Sequence, residues 1–243
     1  MAKLVQKSGY IKSGKASGYM RYIATREGVE KLAGNSAVTK GQRELIQKLL
    51  HDFPDAVELF EYEDYCRTPT LGTASAFISM ALDANLHEID PESGYMQYIA
   101  TRPRVQKRGT HGLFSSATAV DLASAISELE AHEGNVWTII YSLRREDAAR
   151  LEYDNADAWR TLLMENAPTL AKSMKISLEN FHWYAAFHDE GHHPHIHMMV
   201  WSDDPKEGFL TKDGIAAMRS KLTNAIFRDE MQQIYARKDV AYS

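Results

Sequence analysis

Residues Phe187–Ser202 read FHDEGHHPHIHMMVWS, and the fold is decided by how this stretch folds back on itself. Five of the ten histidines of the chain, His188, His192, His193, His195 and His197, fall within these ten positions from 188 to 197. The residues leading into it, Phe181–His188 (FHWYAAFH), are aromatic and apolar enough for a buried strand. His195–Ser202 (HIHMMVWS) has the composition of a second strand of similar length. Asp189–Pro194 (DEGHHP) between them is turn material. Two strands joined by so short a loop are antiparallel neighbours. Side chains alternate with a period of two, so His195 and His197 share a face, and His188 at the end of the first strand points into the same space.

Three imidazoles converging on one face suit a divalent metal. As neutral ligands they leave coordination positions open, which fits an ion that touches a substrate oxygen rather than one that only holds the fold. The donor set accommodates Mn, Co, Ni or Zn, and affinity order alone does not identify the working ion. His192 and His193 read as polar turn residues, and Asp189 and Glu190 are candidates for orienting a ring N–H, a reading that solvated loop acids match equally well.

The rest of the pattern is an α+β protein: a central antiparallel sheet carrying the histidine hairpin, covered by helices. Strands are expected at Lys3–Lys12, Glu58–Tyr65 and Asn135–Leu143, with a short extended piece at Gly109–Ser115 where His111 is structural. Helices are expected at Lys40–His51 with Thr39 as N-cap, Thr73–Asn85, Ala117–His132, Glu146–Glu152, Ala156–Asn166 and Thr169–Lys175, the last two separated at Pro168. Thr211–Lys238 carries a helical stripe from Ile215 to Ile234.

The 243 residues can bury a substantial core, and a single domain over 1–243 is expected, either complete or the N-terminal part of a longer protein. There is no apolar run long enough to span a bilayer, and MAKLVQKSGY lacks the apolar centre of a signal peptide. One cysteine, Cys66, excludes an intramolecular disulfide, so a cytoplasmic location without membrane insertion is expected. The net charge of -5 conceals blocks. Met1–Lys48 carries ten Lys or Arg against three acids, and Leu49–Glu92 one Arg against ten acids. A basic N-terminal block of this kind can follow a phosphate backbone, although a bipolar solvated surface would read the same way.

A second stretch is duplicated. SGYMRYIATR at 17–26 and SGYMQYIATR at 93–102 are identical at nine of ten positions. Each places two tyrosines three apart, Tyr19 with Tyr22 and Tyr95 with Tyr98, on one face if the segment is helical. Tyrosines at that spacing are packing residues more often than nucleophiles.

The segments YIATREGVE (22–30), YIATRPRV (98–105), HGLF (111–114), SLRREDA (142–148) and AAFHDEGHHPHIHMMV (185–200) together resemble mobilization relaxases of Gram-positive mobile elements, of MobP or MobL type, within the HUH endonucleases. The resemblance spans most of the chain. It implies a metal-dependent endonuclease that nicks single-stranded origin-of-transfer DNA through a covalent 5′-phosphotyrosine intermediate and works with accessory relaxosome proteins. It implies that His188, His195 and His197 hold the metal, with Mn or Mg as the working ion. The family places its nucleophile just after the first strand, which favours Tyr22 over Tyr19 and Tyr98, while the duplication keeps Tyr98 open. Lys12, Lys15, Arg21 and Arg26 are then the phosphate contacts. The competing readings are a His-metal hydrolase using activated water and a DNA-binding replication or maintenance module that never cuts.

Overall fold

The computed structural model describes residues 3–10, 36–85, 92–101, 105–107, 109–132, 134–190 and 193–228. Five antiparallel strands form one sheet in the order β1-β3-β5-β4-β2, with β1 at Val5–Tyr10, β2 at Leu113–Phe114, β3 at Trp137–Ser142, β4 at Phe181–His188 and β5 at His195–Ser202. The hairpin expected at 181–202 is the centre of that sheet. Its register pairs His188 with His195 and Ala186 with His197.

Residues opposite one another in a ladder share a face. One face therefore carries Val5, Ile140, Ala186, Met199 and Trp201, and it packs against α1 (Lys40–Asp52), α2 (Phe60–Arg67), α3 (Leu71–Ala84), α4 (Glu92–Thr101) and α5 (Leu122–Glu130). The other face carries Ile139, Tyr141, Trp183, Phe187, Ile196 and Met198. It packs against α7 (Ala156–Ser173) and α8 (Lys212–Ile226), while α6 (Arg145–Arg150) follows β3. Because both faces are covered, β5 is buried at every position, and its composition is apolar throughout apart from the two histidines and Ser202.

Local signals set most of the boundaries. The Thr39 hydroxyl accepts from Gln42 N and the Gln42 side chain accepts from Thr39 N, a closed capping box that starts α1. Asp121 caps α5 through Ser124 N, so that helix begins at Leu122 rather than near Ala117. Gly112, in the HGLF segment, lies so close to Val105 that a Cβ there would collide with the valine side chain.

Two expectations fail. Glu58–Tyr65 is not a strand: Pro54–Glu58 is a 3-10 turn and Phe60–Arg67 is α2. The sequence ELFEYEDY is strand-like in its aromatic residues though acidic, but Leu59 and Phe60 bury together as a helix start, Glu61 and Glu63 lie in the first turn, and Glu63 pairs with Arg67 at 2.9 Å one turn on. Ala156–Asn166 and Thr169–Lys175 are not two helices either, since α7 runs through Pro168. Proline at 168 has no N–H to give the carbonyl of Met164, so α7 forgoes one bond of its ladder there and continues. The stripe beyond residue 228, with Met231 and Ile234, lies outside the described residues.

Candidate metal centre

His188 closes β4, and His195 and His197 open β5, all on the sheet face that α1–α5 cover. Their exposures are 0%, 1% and 0%. The ring centroids are 5.2 Å apart for His188 and His195, 4.6 Å for His188 and His197, and 5.1 Å for His195 and His197. One nitrogen from each ring lies within 4.8 Å of the others, and the group could hold a metal ion. Modest closing of the rings would bring all three to the usual metal–nitrogen distance of about 2.0–2.1 Å.

Backbone carbonyls fix two of the rings. Nε2 of His188 donates to the Ile99 carbonyl at 2.8 Å, and Nδ1 of His195 donates to the His193 carbonyl at 3.1 Å. Each hydrogen bond selects a tautomer and assigns the other nitrogen, Nδ1 of His188 and Nε2 of His195, to the ligand role. Orientation by backbone replaces the expected orientation by loop acids. Asp189 instead pairs with Arg145 at 2.6 Å, and the same guanidinium donates to the Glu190 carbonyl, so Arg145 clamps the hairpin loop.

The expectation for His193 is overturned. It is not a polar turn residue: it is 4% exposed, its Nε2 lies 2.6 Å from Asp64 Oδ2 on α2, and its ring stacks on Phe60 at 5.2 Å and 28°. Arg144 reaches the same carboxylate at 3.3 Å and Glu63 at 3.0 Å, with its guanidinium 4.7 Å from the Phe60 ring centre. Partial burial pushes the Asp64 carboxyl up, but the hydrogen bonds and charges of His193 and Arg144 outweigh it and hold the group below the ordinary carboxylate value. His111 is structural as expected: Nδ1 accepts from Leu113 N at 3.0 Å, and Nε2 donates to the Val120 carbonyl at 3.1 Å.

Nearby, α2 also carries a buried acid. Glu61 is 8% exposed, and its Oε2 has no hydrogen-bond partner among the described residues. Burial raises its pKa from 4.5 to about 8 against the pull of its own backbone N–H, and the charges of Asp64, Glu190 and Asp83 add to the rise.

Thus the three histidines expected from H-x-H spacing are brought together. Tyr22, Tyr19, Lys12, Lys15, Arg21 and Arg26 all lie outside the described residues. Tyr98 sits on α4, the helix whose Ile99 carbonyl meets His188. Sequence reading missed Asp64, Arg144 and the side chain of His193, because a histidine in DEGHHP looks like any other loop histidine until α2 is packed against it.

A buried three-histidine cluster at the head of a central antiparallel hairpin, on a helix-covered sheet, is the arrangement expected of the HUH class. The family model of the MobL relaxases matches residues 1–242, and the chain belongs to that family. No curated protein and no solved structure matches it. Family membership makes this a DNA relaxase with a nicking role. Among the described residues no helix is long and apolar enough to cross a membrane.

Proposed function

We propose that the protein nicks one strand of single-stranded origin-of-transfer DNA with Tyr22 as nucleophile, forming a 5′-phosphotyrosine link and releasing a 3′-hydroxyl. The observation that carries this reading is the convergence of His188, His195 and His197 in one buried cluster. Those residues would hold a divalent ion, Mn or Mg in function with Co, Ni or Zn also accommodated, and when bound it supplies positive charge to a non-bridging phosphate oxygen.

The remaining chemistry belongs to the chain. A free phenol has a pKa of about 10 and attacks slowly at neutral pH, so its proton must pass to a base or solvent as the oxygen approaches phosphorus. The new P–O bond forms to tyrosine, the bond to the 3′ oxygen breaks, and that oxygen takes up a proton. One phosphodiester replaces another, so the 3′-hydroxyl can reverse the reaction without ATP. Lys12, Lys15, Arg21 and Arg26 would track the DNA backbone. Accessory relaxosome proteins are the expected partners, with the domain spanning 1–243 and working in the cytoplasm.

The test is a 3′-end-labelled origin oligonucleotide incubated with protein and Mn²⁺ and run on a denaturing gel. The label should move to the protein band, and Tyr22→Phe should abolish the adduct while DNA binding persists. Adduct retained in Tyr22→Phe but lost in Tyr98→Phe would move the nucleophile to the second copy. Cleavage with no adduct in the wild type would mean a water nucleophile.

A further inference from the structure

Besides the Arg145 clamp at Asp189 and Glu190, the two residues of the loop next to β5 are each tied down. Pro194 accepts from Leu143 N at 3.2 Å through its carbonyl, tying the loop to the end of β3. His193 is tied through its ring to Asp64 at 2.6 Å, across 129 residues of sequence. Between these ties lies the His193 carbonyl, the group that accepts from Nδ1 of His195.

The composition of this latch is more specific than anchoring requires. Stacking on Phe60 would be served by a second phenyl ring at 193. The chain instead buries an imidazole to 4% exposure and meets it with a carboxylate that Arg144 also grips from the side, at 3.3 Å. A charge-assisted hydrogen bond has a narrow range of distance and angle, whereas apolar stacking tolerates sliding and rotation. The bond holds the side chain of residue 193 on one side, the Leu143–Pro194 bond holds the next residue on the other, and together they limit how far the His193 carbonyl between them can turn. If that carbonyl turns, the His195 ring loses the contact that keeps the proton on Nδ1 and the lone pair on Nε2.

We propose that Asp64 and His193 form a positioning pair for His195, acting through the His193 carbonyl to hold that ring in the tautomer and orientation a divalent cation needs. The inference rests on reading the His188, His195, His197 cluster as a divalent-metal site. Neither Asp64 nor the His193 ring touches the ion or the DNA in this role; both act on a ligand.

Co²⁺ is the probe, since it reports affinity by calorimetry and ligand geometry by its visible absorption. Asp64→Ala and His193→Phe should each lower Co²⁺ affinity about tenfold, the lower end of what losing an outer hydrogen-bond partner of a metal ligand costs, and should change the visible band. His193→Phe keeps the ring that stacks on Phe60 and so preserves packing, whereas Asp64→Ala leaves space beside that ring. Asp64→Asn retains an oxygen that can accept from His193 and should stay close to wild type. Long-range ¹H–¹⁵N correlation on the metal-free protein should find His195 protonated at Nδ1 in the wild type and in Asp64→Asn, and as a mixture of tautomers in His193→Phe. A purely structural fastening would lower the melting temperature and leave that tautomer ratio alone.

Unchanged affinity and spectrum in folded His193→Phe and Asp64→Ala, with binding lost in His195→Ala, would overturn the positioning role and leave the metal site standing. Equal losses in Asp64→Asn and Asp64→Ala would overturn the hydrogen-bond account. Unchanged affinity in His195→Ala as well would remove the metal reading, and the inference with it.

Discussion

The carbonyl of Ile99 lies 2.8 Å from Nε2 of His188, so the second copy of the duplicated segment ends on the histidine cluster. Ile99 sits in the last turn of α4, where carbonyls have no partner further along the helix. The His188 ring supplies one. The same helix end presents its partial negative charge toward the rings, which favours a cation there. The His188→Ala variant should therefore lose more than a ligand. In metal-free protein it leaves a buried carbonyl unsatisfied, at a cost of about 1–3 kcal/mol beyond the loss of the ring itself. Urea unfolding in the presence of EDTA should rank His188→Ala below His197→Ala; equal stabilities would mean that the Ile99 contact contributes nothing.

Metal binding should be legible in stability before any DNA is added. A ligand that binds only the folded state stabilises it by about 2.7 kcal/mol at one hundred times its dissociation constant. Mn²⁺ or Co²⁺ added to EDTA-treated protein should therefore raise the melting temperature measured by scanning fluorimetry. His195→Ala and His197→Ala should abolish that rise and lose cleavage together. A wild-type melting temperature that no divalent ion moves would remove the metal from the site.

The hairpin was readable because its information is local. FHWYAAFH and HIHMMVWS are strands by composition, DEGHHP is a turn by composition, and a period of two does the rest. What failed needed distant partners. Glu58–Tyr65 is strand-like in composition, and its helical start shows only in the burial of Phe60 in the core that α3 shares with the sheet. Pro168 breaks helices on average, but residues on both sides of it, Leu162, Leu163, Leu170 and Ala171, are buried and α7 runs through it. His193 could not be told from His192 by sequence, because the carboxylate that distinguishes it stands at position 64. The duplicated segment was visible, but nothing in SGYMQYIATR says that one of its carbonyls would meet a histidine 89 residues away.

Glu207 binds the far end of the hairpin to the turn before β4. Its carboxylate accepts from Ser177 Oγ at 2.5 Å, Ser202 Oγ at 2.7 Å, Ser177 N at 3.1 Å and Asn180 Nδ2 at 3.3 Å. The bonds from the Ser177 and Ser202 hydroxyls lead in holding its pKa at about 2, below the usual 4.5. A depressed carboxylate contributes stability that is present above pH 4.5 and lost as pH falls through about 2. Glu207→Gln should therefore be less stable than wild type at neutral pH, and the difference should shrink as the solution is acidified toward pH 2. Thermal melts followed by circular dichroism at pH 7, 4 and 2.5 test this; a gap that stays constant would mean that the charge of Glu207 is irrelevant.

Glu61 has the opposite sign. Its pKa rises from 4.5 to about 8, so in the folded state it keeps a proton that the unfolded chain releases near pH 4.5. Between those values the folded protein binds more protons than the unfolded one, and stability falls as pH rises. The acids that face it come from three elements: Asp64 on α2 itself, Asp83 on α3 and Glu190 in the hairpin loop. Glu61→Gln is neutral at every pH and nearly isosteric. It should match wild type near pH 4.5 and exceed it at pH 8.5 by on the order of 4 kcal/mol, the free energy of a shift of that size. Urea titrations of both proteins at pH 4.5, 6.5 and 8.5 measure the difference directly. If Glu61→Gln is instead destabilised equally at all three, the carboxyl is ionised in the folded protein and a cation holds it, which would place a second positive group beside α2 at the head of the hairpin.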